Sequence, residues 1–197
     1  MRTKNLWVLV GPSGSGKTTL AHNLGLLGIS AVTTTTTRER RVGEAEDAYN
    51  FVSTEEFLQR VDRGRFAEYT RYADNWYGSE LQSLDNGDVL VATPDGAAAV
   101  SIRYRNRPVI TVGLMAPPEV LHSRLRSRGD GSIERLQADL VTFSSLYIFT
   151  DLIINTVTPR GTLREVLSYM KVRGEDFDVD GLMHRAYPDC GVDRPDY

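Results

Sequence analysis

The stretch Gly11-Pro12-Ser13-Gly14-Ser15-Gly16-Lys17-Thr18 decides how the rest of the chain is read. It fits the pattern G-x-x-x-x-G-K-[ST], with the apolar run Leu6-Trp7-Val8-Leu9-Val10 before it and a helical pattern after it. Glycines let the backbone curl so that successive N–H groups converge on phosphate oxygens, and the helix that follows adds the positive end of its dipole. An anion belongs there. Lys17 is placed to reach the outer phosphates of a nucleoside triphosphate, and the Thr18 hydroxyl to ligate the magnesium that bridges them.

Working outward, Leu20, Leu24 and Leu27 share one face of a helix over 18–27, and Gly28 ends it. Ile29 to Val32 reads as a short strand. The polar segment from Thr33 to Phe51 reads as loops and short strands of an insertion, and its five threonines suit extended structure. Ser53-Thr54-Glu55-Glu56 opens a helix that Gly64 stops. Phe66 to Tyr72 and Asn75 to Tyr77 read as paired strands around the turn Ala73-Asp74-Asn75, followed by a brief helix over 79–85. Val89 to Ala92 is then an apolar strand, Pro94-Asp95-Gly96 a turn, and an alanine-rich helix follows. The alternation continues with a strand at Val109–Leu114, helices at Pro117–Arg128 and Ile133–Tyr147, a strand at Leu152–Ile154 and a last helix at Leu163–Val172.

Apolar strands alternating with helices, beginning at a strand–loop–helix phosphate site, predict a doubly wound parallel α/β sheet with its ligand at the carboxyl ends of the strands. The expected division is a core of residues 1–32 and 87–172, an insertion over about 33–86, and a tail over 173–197. That tail holds three Arg and seven Asp or Glu with few large apolar residues, so it reads as a loosely packed acidic appendage.

Composition narrows the function. A chain of 197 residues has room for one well-filled core, and a net charge of -3 argues against a nucleic-acid binder working through bulk positive charge. The lone Cys190 excludes an internal disulfide, and no secretory segment or membrane-length apolar run is visible, so a cytoplasmic protein with no membrane partner is expected, as a monomer or homodimer. His22, His122 and His184 have no second ligand at metal-binding spacing.

Four further features lie in one order: Thr36-Thr37-Arg38-Glu39-Arg40-Arg41-Val42-Gly43-Glu44, Tyr49-Asn50-Phe51-Val52-Ser53, Phe66-Ala67-Glu68-Tyr69 and Asn75-Trp76-Tyr77-Gly78-Ser79. Together with the phosphate loop they resemble the guanylate kinase family, from about Leu6 to about Met170. The resemblance implies a P-loop nucleoside monophosphate kinase core with a nucleoside monophosphate-binding insertion and a lid over about 126–138. ATP with Mg2+ would sit on Gly11, Ser13, Gly14, Ser15, Gly16, Lys17, Thr18 and Thr19, with Thr18 at the metal. Arg38, Arg41, Tyr49 and Tyr77 match the residues that hold the acceptor phosphate, and Ser79 follows in the same motif. Two guanidinium forks with two phenols suit a dianion. Glu68 matches the carboxylate that reads guanine, whose ring N1–H and exocyclic amine are adjacent donors facing an acceptor-only group. Thr34 stands where the family has a serine that donates to the guanine carbonyl. Arg124, Arg126 and Arg128, with Arg135 beyond Gly129-Asp130-Gly131, resemble lid arginines, and the catalytic set implied is Lys17, Arg38, Arg128 and Arg135.

One departure stands out. Val91 and Thr93 occupy positions where the family carries two aspartates, one near the metal and one near the base; Asp95 is close in sequence. The expected activity is ATP-dependent phosphorylation of a nucleoside monophosphate, GMP or dGMP first. The lost aspartates leave room for another or modified nucleotide, or for a sugar phosphate. A non-catalytic interaction module is the rival from another class, against which the intact Lys17, Thr18, Arg38 and Arg41 argue.

Overall fold

Strand β1 (Leu6–Val10) is buried along its whole length, which is why it lacks the apolar/polar alternation of a half-exposed strand. The computed structural model describes residues 2–72, 74–127, 143, 148 and 150–188. Within them β1 lies at the centre of a parallel sheet, between β6 (Val89–Val91) and β7 (Val109–Met115), with β8 (Leu152–Asn155) beyond β7. Trp7 is in register with Val89 on one side and Ile110 on the other.

Because successive side chains on a strand point to opposite faces, β1 feeds two cores. Trp7 and Leu9 pack with Leu20 and Leu24 of α1 (Lys17–Leu26) and with Leu163 and Leu167 of α6 (Pro159–Val172). Leu6, Val8 and Val10 pack with Ala97 and Val100 of α4 (Pro94–Arg103) and Leu84 of α3 (Leu81–Asn86). Helix α5 (Pro118–Ser127) follows β7 and buries Leu121 and Leu125. The doubly wound architecture therefore follows from one strand's pattern.

A second sheet forms the insertion, ordered β3 (Asn50–Phe51), β2 (Thr35–Thr36), β5 (Asn75–Glu80), β4 (Phe66–Tyr72). β4 and β5 make the predicted hairpin, in which Asp74 takes φ 65, and the ladder is irregular between Phe66 and Glu68. Helix α2 (Thr54–Asp62) is capped by Ser53, whose side chain accepts from the Glu56 N–H. That is the start read from the sequence.

Three expectations need correction. Ile29 to Val32 is not a strand: Ala31 makes a single bridge to Val89, because the Ser30 main chain and hydroxyl both donate to the Asp88 carboxylate instead. Pro94-Asp95-Gly96 is not a turn but the first turn of α4, with the Thr93 hydroxyl accepting from the Gly96 N–H at 3.1 Å and proline at the position where its missing N–H costs nothing.

The third concerns the tail, which is not loosely packed over 173–188. Helix α7 (Val179–Ala186), capped by Asp178, buries Leu182 and Met183 together with Phe177 against the Trp7 side of the core. Glu175, only 4 % exposed, accepts from the Lys4 and Asn5 main-chain N–H groups, Asn5 Nδ2 and Trp7 Nε1. Counting charges over the segment hid its apolar face. The expected helix over 133–147 and the lid lie outside the described residues but for Arg126, Ser127 and Phe143.

Candidate active site

The loop between β1 and α1 folds as its glycines require. Gly11 has φ 154, and a Cβ built on it would meet the Leu114 carbonyl oxygen at 2.2 Å, so no other residue fits. Gly16, at φ 93, turns the chain into α1. Lys17 Nζ donates to the carbonyls of Gly11 at 2.7 Å and Pro12 at 3.0 Å, holding its charge over the loop. The Ser15 hydroxyl is buried without a hydrogen-bond partner. A buried hydroxyl left without a partner in this loop has hydrogen-bonding capacity to spare for a bound group. Thr18 is exposed at the start of α1.

Across the insertion, Arg38 sits over the rings of Tyr49 at 5.4 Å and Phe51 at 5.7 Å, and Tyr49 meets Tyr77 edge-on at 6.3 Å. Arg38 donates to Glu44 at 2.7 Å, and the pair is mostly covered, at 14 % and 19 % side-chain exposure. The Glu44 hydrogen bond raises the Arg38 pKa against the opposing effect of burial. Glu44 is held below the usual carboxylate range by Arg38 first and then by the Arg41 main-chain N–H. Three of the four predicted phosphate residues are thus brought together. The fourth, Arg41, is exposed at the edge, and its neighbour Arg40 pairs with Glu46 at 3.3 Å.

Glu68 stands at the other end of the insertion. Ser79 donates its hydroxyl to Glu68 Oε1 at 2.6 Å, and the second oxygen lies 3.3 Å from where a side chain on Gly96 would begin. Gly96 therefore leaves the carboxylate room to face a ligand. Burial pushes the Glu68 pKa up, and the two hydrogen bonds from Ser79 oppose this without cancelling it. A cavity of about 820 Å³ runs from Glu68 past Val91 and Thr93 to Gly11, Ser13 and Lys17. Val91 is 37 % exposed into this region. Thr93 spends its hydroxyl on the cap of α4, while Asp95 is exposed on the same wall. Thr34 is half-buried on the approach to β2, its carbonyl accepting from the Asn50 N–H.

Sequence reasoning missed a smaller recess of about 180 Å³ behind the loop, lined by Gly14, Gly16, Thr19, Asn23, Arg124 and Thr158. Arg124, expected on the lid, is tied down instead. It donates to the Gly14 carbonyl at 3.2 Å and to the Thr156 and Val157 carbonyls at 3.1 Å. Arg126 is exposed, and Arg128 and Arg135 lie outside the described residues. Thr158-Pro159, a cap followed by proline at the first helical position, was the available signal for the wall of this recess.

The phosphate-loop motif and the buried Glu68 carboxylate thus face one cavity. A sequence profile of the guanylate kinase family matches residues 3–171. The chain belongs to the guanylate kinase family. It is 32 % identical over 165 residues to guanylate kinase of Idiomarina loihiensis, covering 77 % of this chain and 79 % of that one. Against guanylate kinase of Helicobacter pylori the figures are 33 % over 164 residues, again 77 % and 79 %. The crystal structure of guanylate kinase from Anaplasma phagocytophilum superposes with a TM-score of 0.64 at 23 % identity over 95 % of this chain and 97 % of that one, which carries the fold. Membership makes the protein a nucleoside monophosphate kinase with a P-loop α/β core.

Proposed function

We propose that the enzyme transfers the terminal phosphoryl group of ATP to GMP or dGMP. The single observation that carries this is Glu68, pinned through one oxygen by Ser79 and open through the other to the cavity that ends at Lys17. Guanine offers two adjacent donors to such a carboxylate, whereas adenine would bring its ring N1 acceptor against it. The base on Glu68 puts the acceptor phosphate toward Arg38, Tyr49, Tyr77 and Arg41. ATP would then lie with its phosphates over Gly11 to Thr19 and its base in the recess beside Asn23 and Arg124.

Transfer of a phosphoryl group is mostly positioning and charge neutralisation. Lys17 leaves the Gly11 and Pro12 carbonyls for the phosphates, and Ser15 gains the partner it lacks. Arg38 exchanges Glu44 for the acceptor phosphate while keeping its seat over Tyr49. Arg128 and Arg135 are proposed to bring further positive charge from the lid. No group of three or more His, Cys, Asp or Glu residues among the described residues could cage a metal. The fit is therefore to magnesium carried in by ATP, held by Thr18, water and the phosphates themselves. When bound it neutralises phosphate charge.

The test is a coupled assay of ADP release over a panel of nucleoside monophosphates. GMP or dGMP should give the highest kcat/KM. A higher value for any pyrimidine monophosphate refutes the guanine reading.

A further inference from the structure

The acceptor site is built on short strands, two of them only two residues long. Such strands fix little by themselves. On one face of this small sheet stand groups that meet the acceptor in the proposed reading: Tyr49 beside Phe51 with Arg38 over both rings, and Ser79 on Glu68. On the opposite face, one residue away along each strand, stand Thr35, Asn50 and Glu80. Glu80 Oε1 accepts from Thr35 Oγ1 at 2.7 Å, from Asn50 Nδ2 at 3.4 Å and from Arg60 of α2 at 2.5 Å. The Glu80 and Arg60 side chains are only 9 % and 15 % exposed, and Arg60 also pairs with Glu56.

From this placement we infer that Glu80 is a positioning residue for the acceptor nucleotide, acting from behind the sheet. Resting on the proposed function, the inference adds a residue that touches neither substrate nor phosphate. Because side chains alternate along a strand, fixing Thr35 orients Thr34 and Thr36, fixing Asn50 orients Tyr49 and Phe51, and fixing Glu80 orients Ser79, which holds Glu68. One carboxylate thereby aligns the base-reading end and the phosphate-binding end with each other. The ATP side is attached to the other sheet and takes no part in this network.

The experiment measures KM separately for GMP and ATP, and GMP binding by calorimetry without ATP, in wild type, Glu80→Ala, Glu80→Gln and Thr35→Val. Loss of three hydrogen bonds should raise the GMP KM and Kd of Glu80→Ala about tenfold or more, with the ATP KM within about twofold. Glu80→Gln keeps an oxygen for Thr35 and Asn50, and Arg60 keeps Glu56, so it should recover most of the loss. Thr35→Val deletes the bond the hydroxyl donates to Glu80 and the one it accepts from Asn50, at nearly constant volume, and should raise the GMP KM about three- to tenfold; it decides the matter if Glu80→Ala fails to fold. A merely structural role would lower Tm while leaving GMP KM near wild type. That result, an equal rise in both KM values, or Glu80→Gln as impaired as Glu80→Ala overturns the inference. A wild type active only on another nucleoside monophosphate refutes the guanine reading, and the same comparisons made with that acceptor support or overturn the role of Glu80.

Discussion

Replacing Glu68 by glutamine tests the base-reading site with almost no change of shape. Ser79 can still donate to one oxygen, as it does now at 2.6 Å, but the group beyond it turns from acceptor to donor. One of guanine's two donors then loses a charge-assisted hydrogen bond and faces an N–H. A bond to a charged group contributes about 1.5–3 kcal/mol, and the opposed donors add to the loss, so kcat/KM for GMP should fall about 30- to 1,000-fold, or about 2–4 kcal/mol. IMP, which lacks the exocyclic amine, supplies the control: its kcat/KM should fall much less, so that GMP and IMP converge. Acidity offers a second reading of the same group. Burial raises the Glu68 pKa, so GMP KM should climb as pH falls through that raised value, and the climb should vanish in the glutamine variant. The sign for stability is opposite: a raised folded pKa favours the folded state below the unfolded value and loses that benefit as pH rises through the folded one. Above this window Glu68→Gln should be as stable as wild type or more so. An unchanged GMP to IMP ratio, measured by coupled assay, would refute the assignment of Glu68 to the base.

Lys17→Ala should abolish transfer without lowering Tm, because Lys17 Nζ bonds to carbonyls of its own loop and its stem is half-exposed; full activity would remove ATP from the loop. Arg41→Ala should raise the GMP KM about ten- to a hundredfold with the ATP KM unchanged, as separate titrations would show. Val91→Asp should raise kcat in magnesium, since the side chain is 37 % exposed toward the cavity and a carboxylate there stays hydrated; transfer without any metal would contradict the placement of magnesium. Glu175→Ala leaves Trp7 Nε1 and the Asn5 main-chain N–H unpaired and Asn5 Nδ2 with only the Arg173 carbonyl, at a cost of about 3 kcal/mol or more and a Tm lower by about 6–12 °C, measurable by calorimetry.

What could be read in advance was local. The phosphate loop announces itself because eight consecutive residues supply the glycines, lysine and hydroxyl that one ligand needs, and Ser53 at the start of α2 is legible because a cap and its helix are adjacent. The Glu80 contact with Thr35 spans 45 positions, the Arg124 contact with Gly14 spans 110 and the Glu175 contacts span up to 171. Nothing in a local pattern reports such pairings. The acidic tail misled for a related reason: its charges are spread evenly, whereas Phe177, Leu182 and Met183 meet one surface of a core assembled from elsewhere. Val91 and Thr93 were visible as substitutions, but only the structure shows that Thr93 has taken up work as a helix cap.

The Glu175 latch bears on how this protein matures during synthesis. β1 receives its two neighbours from residues near 89 and 109, and the two residues that lead into it, Lys4 and Asn5, find a hydrogen-bond partner for their amides only at residue 175. A nascent chain halted before that point carries the whole nucleotide loop on a strand whose entry amides and indole N–H are unsealed. The support of the strand that leads into the phosphate loop is therefore complete only once residues 175–183, far downstream in the chain, have docked on it.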